Sequence, residues 1–206
     1  HEFKTPLTLI QGPASQLVRQ TTDPKEKEDL QIINRNAQYL LSLVNQLIDL
    51  RKIDTQNLTL NYSQFNFSKF LNTTITDFSN LMKERNISFE KIYRLKSDHI
   101  YSDKENLHKI LFNLLSNAIK HTPDKGKITL HANQFIDKSN KLMQFISVTN
   151  SGSIIAPDEI DKIFNRFYRI PEQNKYTNYG QSSTGIGLHI VKELINLLGG
   201  TIKVKS

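Results

Sequence analysis

Asn113-Leu-Leu-Ser-Asn117-Ala-Ile-Lys120-His121-Thr122 is the stretch of this sequence that says most about the fold. Its two asparagines lie one helical turn apart, so their carboxamides share a face, with Lys120 and His121 on its flank. Amide oxygens together with phosphate oxygens suit Mg²⁺, which prefers oxygen donors, and Lys120 could balance phosphate charge. The apolar residues of the stretch occupy another face, so the segment is equally an ordinary core helix.

Helices and strands alternate around this stretch from residue 58 onward. Two-residue alternation and β-branched residues predict strands over residues 58–65, 87–93, 99–102, 127–133 and 143–149. Helical spacing predicts helices over residues 68–86, 103–121 and 184–198. Asp103 is a suitable N-cap, and Gly199-Gly200 is a suitable stop. The pattern predicts an α+β domain with helices layered on a sheet.

Residues 1–54 have a different pattern, that of two helices joined by a turn at residues 20–25. Apolar residues recur with heptad spacing in both helices: Phe3, Leu7, Ile10, Ala14 and Leu17, then Leu30, Ile33, Ala37, Leu40, Val44 and Leu47. A lone hairpin cannot cover such stripes, so we expect two copies to pair into a four-helix bundle. Packing of the stripes on the rest of the same chain is the alternative.

The chain opens with His1-Glu2-Phe3-Lys4-Thr5-Pro6, which places His1 and Thr5 on one helical face, off the apolar seam. A neutral imidazole is a competent nucleophile, and Glu2 is placed to take its proton. Thr5 could orient a water for the reverse hydrolysis. An isolated histidine near a helix start is otherwise an ordinary surface residue.

Two glycine-bearing stretches follow later in the chain. Asn150-Ser-Gly152-Ser ends a strand, whereas Thr184-Gly185-Ile-Gly187-Leu188 runs into a helix. Glycines before a helix let the backbone approach phosphates and offer amide donors to them. Neither stretch is a Walker loop or a dinucleotide fingerprint, and each alone would suit a structural turn.

Composition excludes several classes of protein. The 206 residues contain no cysteine, which rules out disulfides, thiolate catalysis and zinc–thiolate sites. No apolar run approaches the ~20 residues of a membrane span. The net charge of +7 suits nucleotide phosphates or an acidic partner, and the basic residues form no stripe interleaved with aromatics. Nucleic-acid binding therefore rests on charge alone.

These segments, in this order, closely resemble a sensor histidine kinase core. His1 to Pro6 resembles the H box and Asn113 to Thr122 the N box, while Phe164-Asn-Arg-Phe167-Tyr-Arg169 resembles the F box and Gly185 to Leu188 the second glycine box. Asn36-Ala-Gln-Tyr-Leu-Leu-Ser-Leu-Val-Asn-Gln-Leu and Arg51-Lys-Ile-Asp resemble the hybrid two-component sensors of Bacteroidetes-type bacteria.

The resemblance implies a dimerisation and phosphotransfer hairpin over residues 1–54, then a Bergerat-type (GHKL) α/β-sandwich over 55–206 that binds ATP and Mg²⁺. It implies phosphorylation of His1, with Glu2 and Thr5 assisting, and transfer to a response-regulator receiver aspartate. Asn117 would hold the metal with Asn113 assisting, and residues 170–183 would form an ATP lid. The implied nucleotide-binding residues are Asn113, Asn117, Lys120, His121, Asn150, Gly152, Ile155, Phe164, Phe167, Arg169, Thr184, Gly185, Gly187 and Leu188.

The sequence departs from the family pattern at the first glycine box. Asn150 stands where the family carries an aspartate that accepts a hydrogen bond from the adenine amine, and Ile154 and Ser183 replace glycines. A neutral acceptor is weaker than a charged one. A docking module that binds nucleotide poorly is therefore the alternative function, whereas a gyrase-like ATPase would leave the hairpin without a purpose.

The family pattern also extends beyond both ends of this sequence. One further strand is expected after residue 206, so the ATP-binding domain would be truncated there. A sensor and membrane anchor are expected upstream, which would make the chain the cytoplasmic portion of a bacterial inner-membrane protein. A hybrid type would carry a receiver downstream.

Overall fold

A computed structural model describes residues 4–55, 58–152, 154–170 and 184–206. The chain forms two compact units that divide between Leu58 and Thr59. The predicted boundary after residue 54 stays a prediction. His1, Glu2, Phe3 and most of the predicted lid lie outside the described residues.

The first unit is the predicted helical hairpin, with α1 at Lys4–Gln20 and α2 at Pro24–Asp54. The Asp23 carboxylate accepts a 2.8 Å hydrogen bond from Lys25 N–H and caps α2. Pro24 was predicted to be part of the turn but is the first residue of α2, because proline lacks only an N–H that has no partner there.

The hairpin leaves much of its heptad stripe exposed. Ala14 and Ala37 are buried where α1 and α2 meet, whereas Ile10 is 48% exposed and Leu47 is 51% exposed. The exposed set on α2 includes residues at seven-residue spacing: Ile33, Leu40 and Leu47. One stripe of α2 therefore packs within the hairpin, and a second, apolar stripe does not.

The second unit is an α+β domain, as the sequence predicts. Its strands are β1 Tyr62–Asn66, β2 Ser88–Arg94, β3 His99–Asp103, β4 Lys127–Ile136 and β5 Leu142–Asn150. Its helices are α3 Phe67–Thr76, α4 Ser79–Glu84, α5 Lys104–His121 and α6 Gly187–Leu197, with 3₁₀ turns at Pro157–Glu159 and Lys162–Phe164. β1 pairs with β3 antiparallel, while β4 pairs with β2 parallel and β5 antiparallel.

The core of this unit lies between the three-stranded sheet and helices α3 to α5. Ile128, Leu130 and Ala132 alternate along β4 with no exposure and meet Leu111 and Leu115 of α5. The face of α5 that carries these leucines is therefore fixed by the core. Because the core fixes that face, the opposite face of α5, which carries polar residues, also has a fixed orientation.

Three element predictions were wrong in detail. The single helix predicted over residues 68–86 is broken at Asp77–Phe78, because threonine and serine hydroxyls bond back to carbonyls and compete with the helical ladder. The first strand begins at Tyr62 rather than at residue 58, since Asn61 N–H instead donates to Asp103 Oδ2 over 2.8 Å. The last helix begins at Gly187 because Gly185 has a φ of +69°.

The α5 helix follows its prediction. The Asp103 carboxylate accepts a 2.9 Å hydrogen bond from Asn106 N–H, and the helix runs to His121. The β4–β5 hairpin is longer than predicted, with Asp137 Oδ1 accepting from Ser139 and Lys141 N–H at its turn. Pairing between β4 and β5 extends both strands beyond the residues whose alternation of apolar and polar side chains is clear in the sequence.

Candidate functional site

The polar face of α5 carries Asn113 and Asn117, both half-buried and one turn apart. The Asn113 Nδ2 donates a 2.8 Å hydrogen bond to the Lys109 carbonyl oxygen. Its Oδ1 points the other way, toward the first residue of α6, and a Cβ on Gly187 would stand 2.8 Å from it. An amide oxygen of the predicted metal-binding pair therefore lies beside the α6 N-terminus.

The chain enters α6 through a turn that the backbone of Gly185 makes possible. Phe167 N–H donates a 2.9 Å hydrogen bond to the Gly185 carbonyl, and a Cβ on Gly185 would lie 2.6 Å from the Phe167 backbone. Thr184 Oγ1 accepts a 3.1 Å hydrogen bond from Ile186 N–H. Leu188 follows in the first helical turn. Helix N-termini reached by such turns bind anions with their free N–H groups and dipole.

Two cations meet on the same side of the domain. Burial lowers the pKa of Lys120, and the positive charge of Arg169 lowers that pKa further. Lys120 lies in the last turn of α5 and Arg169 follows the second 3₁₀ turn, so residues distant in sequence bring like charges together. Repulsion between like charges is relieved when an anion binds between them. This pair marks a site for a negatively charged group.

The other end of the candidate site lies where α5 meets the turn after β5. Asn150 Nδ2 lies 3.4 Å from the His121 carbonyl oxygen, to which it donates. A Cβ on Gly152, whose φ is +115°, would stand 3.2 Å from that same oxygen and 2.6 Å from Pro123 Cδ. Burial lowers the pKa of His121, and Lys120 lowers it further. Ile155 N–H donates to Ser206 Oγ over 2.6 Å.

The F-box segment is tied to α6 by His189, a histidine that belongs to none of the motifs identified in the sequence. His189 Nδ1 lies 3.1 Å from the Phe164 carbonyl, and Arg166 Nε donates a 2.9 Å hydrogen bond to His189 Nε2. Because Nε2 accepts, the ring proton is on Nδ1, which donates to Phe164. Phe164 is buried, and Lys192 Nζ lies 5.7 Å from its ring centroid.

Two further interactions were missed. Tyr168 O–H donates to the Glu159 carboxylate, which also contacts Lys162 at 3.0 Å. Arg85, read as part of a predicted helix end, is a buried side chain held against the end of α5. In the sequence Arg85 lies in the polar run Lys83-Glu84-Arg85-Asn86, and such a run does not distinguish a buried arginine from an exposed one.

The structure thus connects most of the predicted nucleotide-binding residues through contacts within one domain. Asn113 contacts Gly187, and the His121 carbonyl contacts Asn150 and Gly152. Phe167 N–H is hydrogen-bonded to Gly185, and the charge of Arg169 acts on Lys120. Thr5 is exposed in the first turn of α1, in the other unit. The roles assigned to the individual residues stay predictions.

Comparison with known proteins identifies both units. Residues 1–56 match the His Kinase A (phospho-acceptor) domain, and residues 102–206 match the histidine kinase-, DNA gyrase B-, and HSP90-like ATPase family. Histidine kinase P4 of Formosa agariphila is 37% identical over 208 residues, covering 99% of this chain and 15% of that protein. Hybrid signal transduction histidine kinase D of Dictyostelium discoideum is 33% identical over 207 residues, covering 100% of this chain and 13% of that protein.

Solved structures agree with these sequence matches. Full-length ShkA in complex with AMPPNP superposes with a TM-score of 0.77 at 25% identity, covering 100% of this chain and 41% of that one. A phospho-acceptor hairpin joined to an ATPase domain is the core of a kinase that phosphorylates histidine. The chain belongs to the histidine kinase family, as its sequence predicts.

Among the described residues, every helix is too short or too polar to cross a bilayer. The chain spans only a small part of the curated relatives that it matches.

Proposed function

We propose that this chain binds Mg-ATP in its second unit, transfers the γ-phosphoryl group to His1, and passes it to a receiver aspartate of a response regulator. The observation that carries the proposal is the meeting of Lys120 and Arg169 on the side of the domain that holds the N and F boxes. Two cations brought together by folding suit a triphosphate, and phosphoryl transfer depends mostly on positioning and charge neutralisation.

The phosphates would bind at the start of α6. The backbone N–H groups at Gly185, Gly187 and Leu188 supply donors there, and Thr184 adds a hydroxyl. Lys120 and Arg169 neutralise the charge that phosphates bring. Glycine at 187 lets the start of α6 approach Asn113 closely, because a Cβ at 187 would stand 2.8 Å from Asn113 Oδ1.

The metal would be held by the carboxamide oxygens of Asn117 and Asn113. The Asn113 oxygen is turned toward α6 because its Nδ2 is already engaged with Lys109. This donor set fits Mg²⁺, which takes one or two protein oxygens and completes its shell with phosphate and water. When bound, Mg²⁺ neutralises phosphate charge and orients the β and γ groups.

The adenine would lie near Asn150, Gly152, His121 and Ile155, with Phe164 and Phe167 bordering the site. Asn150 donates through Nδ2 to protein carbonyls, which leaves its Oδ1 as the atom to accept from an adenine amine. A neutral acceptor makes roughly half the contribution of a charged one. We therefore expect ATP affinity to be modest, and this observation also favours a docking module as the second candidate function.

The transfer step would use the residues at the start of the hairpin. An imidazole nitrogen of His1 forms a bond to the γ-phosphorus while the bond from that phosphorus to the β–γ bridging oxygen breaks, and ADP leaves. Glu2 takes the imidazole proton as the nitrogen attacks. Thr5, exposed one turn along α1, would orient the water that hydrolyses the receiver phosphate.

The functional unit would be a homodimer. The exposed stripe on the hairpin includes Ile10, Leu40 and Leu47, and a second copy would cover it in a four-helix bundle. Since ATP and response regulators are cytoplasmic, we place this core on the cytoplasmic side of a membrane-anchored sensor.

The test is incubation with radiolabelled Mg-ATP beside a His1→Gln control. We expect acid-labile, base-stable label on the wild type and none on the control, because phosphoramidates hydrolyse in acid. Label that survives in His1→Gln would place the acceptor elsewhere. A folded dimer that takes up no label and binds no ATP would favour the docking module.

A further inference from the structure

Arg85 is a buried charged side chain of the second unit, and each nitrogen of its guanidinium has a partner. It is 5% exposed, and its Nε lies 2.8 Å from Asp124 Oδ1. Its Nη1 and Nη2 each donate a 2.6 Å hydrogen bond, to the carbonyl oxygens of Ile119 and Thr122. Its own carbonyl accepts from Lys125 N–H over 3.0 Å. A buried guanidinium requires such partners, since an unpaired buried charge is strongly destabilising.

These contacts hold the end of α5 and the loop that follows it. The last carbonyls of a helix lack intrahelical donors, and a cation at that end is favoured by the helix dipole. Arg85 supplies both donors and charge from a separate element, the end of α4. The planar guanidinium reaches Ile119, Thr122 and Asp124 in different directions, which a lysine could not do.

The loop held by Arg85 is the surface on which the turn after β5 rests. Between the two carbonyls that Arg85 binds lies His121, whose carbonyl accepts from Asn150. Gly152 packs on Pro123 so closely that a Cβ would stand 2.6 Å from Pro123 Cδ. Ser151 Oγ accepts from Lys127 N–H over 2.8 Å just beyond the loop. A shift of the loop would therefore move Asn150 and Gly152.

We propose that Arg85 is a positioning residue for the base-binding end of the nucleotide site. It binds the Ile119 and Thr122 carbonyls and acts through the Ile119–Thr122 backbone on His121 and, from there, on Asn150 and Gly152. At the phosphate end, Arg169 and the residues at the start of α6 lie outside this stretch, and only Lys120 lies within it, so we expect phosphate binding to depend on Arg85 less than base binding does. This inference rests on the proposed function, because it assigns the base to Asn150.

The test compares two ligands on the same protein: Mg-ATP, and Mg-tripolyphosphate, which has phosphates but no base. Arg85→Met is expected to raise the Kd for ATP about tenfold, as for loss of charged hydrogen bonds, and to leave the Kd for tripolyphosphate within about twofold. Arg85→Lys should bind ATP more tightly than Arg85→Met does, since lysine keeps the positive charge and a single donor group.

A second variant covers the case in which Arg85→Met does not fold. Asp124 is largely exposed and binds Nε of the guanidinium, so Asp124→Asn should fold and weaken ATP binding about twofold to threefold, again with a smaller effect on tripolyphosphate binding. Equal losses for both ligands, or wild-type ATP affinity in folded variants, would overturn the inference. Wild-type protein that binds tripolyphosphate but no ATP would instead overturn the proposed function at its adenine end.

Discussion

Asn113 Oδ1 lies so close to Gly187 that a Cβ on the glycine would stand 2.8 Å from it. The atom that would be pushed aside is the end of a flexible side chain, so the domain can absorb the change by turning the carboxamide. We expect Gly187→Ala to leave the unfolding free energy nearly unchanged and to lower Mg-ATP affinity about tenfold, because one metal-facing oxygen moves.

The matched control is Gly12→Ala. Gly12 lies in α1 with nothing within 4 Å of its Cβ position, so alanine should stabilise the hairpin by about 0.5–1 kcal/mol without touching nucleotide binding. Titration with a fluorescent ATP analogue and urea unfolding measure the two effects. Normal affinity in Gly187→Ala would argue against a role for Asn113 in binding the metal.

His121 should make stability depend on pH. Burial and Lys120 lower its pKa in the folded state below the ordinary value of about 6.5. As the pH falls through about 6.5, the unfolded chain therefore gains a proton that the folded chain does not, and the unfolding free energy decreases. Wild type should lose more stability than His121→Gln between pH 7.5 and pH 5.5 in urea titrations. Identical pH profiles would show that His121 is not protected from protonation.

Lys120 should take up protons when nucleotide binds. Its pKa is lowered by burial and by Arg169, and the negative phosphates would raise that pKa again. Calorimetry at about pH 9 in two buffers of different ionisation enthalpy should report net proton uptake, which Lys120→Gln should abolish. Proton release by the wild type would contradict the placement of Lys120 beside the phosphates.

His189 should contribute to stability through its two hydrogen bonds, to Phe164 and Arg166. We expect His189→Ala to lower the unfolding free energy by about 1–2 kcal/mol. His189→Gln is the control. A glutamine side chain can both donate and accept a hydrogen bond, so this variant should lose less unfolding free energy than His189→Ala. Equal losses in the two variants, measured by urea unfolding, would indicate that packing and not hydrogen bonding is the contribution.

The exposed stripe of α2 should control assembly. Leu40→Asp combined with Leu47→Asp places charges on the surface that a second copy would cover, so we expect a folded monomer in analytical ultracentrifugation. Gln31→Asp puts a charge on the same helix at an exposed polar position and should remain dimeric. A double variant that is still dimeric would place the interface elsewhere.

The sequence by itself determined the helical hairpin, the α+β second unit and the family. Heptad spacing, strand alternation and caps such as Asp103 are local signals, because each depends on residues a few positions apart. The ordered H, N, F and second glycine boxes add a signal that is independent of conformation. Each of these features can be predicted from residues that are close together in the sequence.

Only the tertiary structure decided which side chains meet. Lys120 and Arg169, Asn113 and Gly187, and Arg85 and Thr122 are each brought together from separate segments by the packing of α5, and nothing in their spacing predicts the pairing. The break at Asp77–Phe78 and the start of α6 at Gly187 had a different origin, since local hydroxyl–carbonyl hydrogen bonds and the positive φ of Gly185 outweighed helical periodicity. Residues distant in the sequence interact only after the core has fixed the orientation of each element.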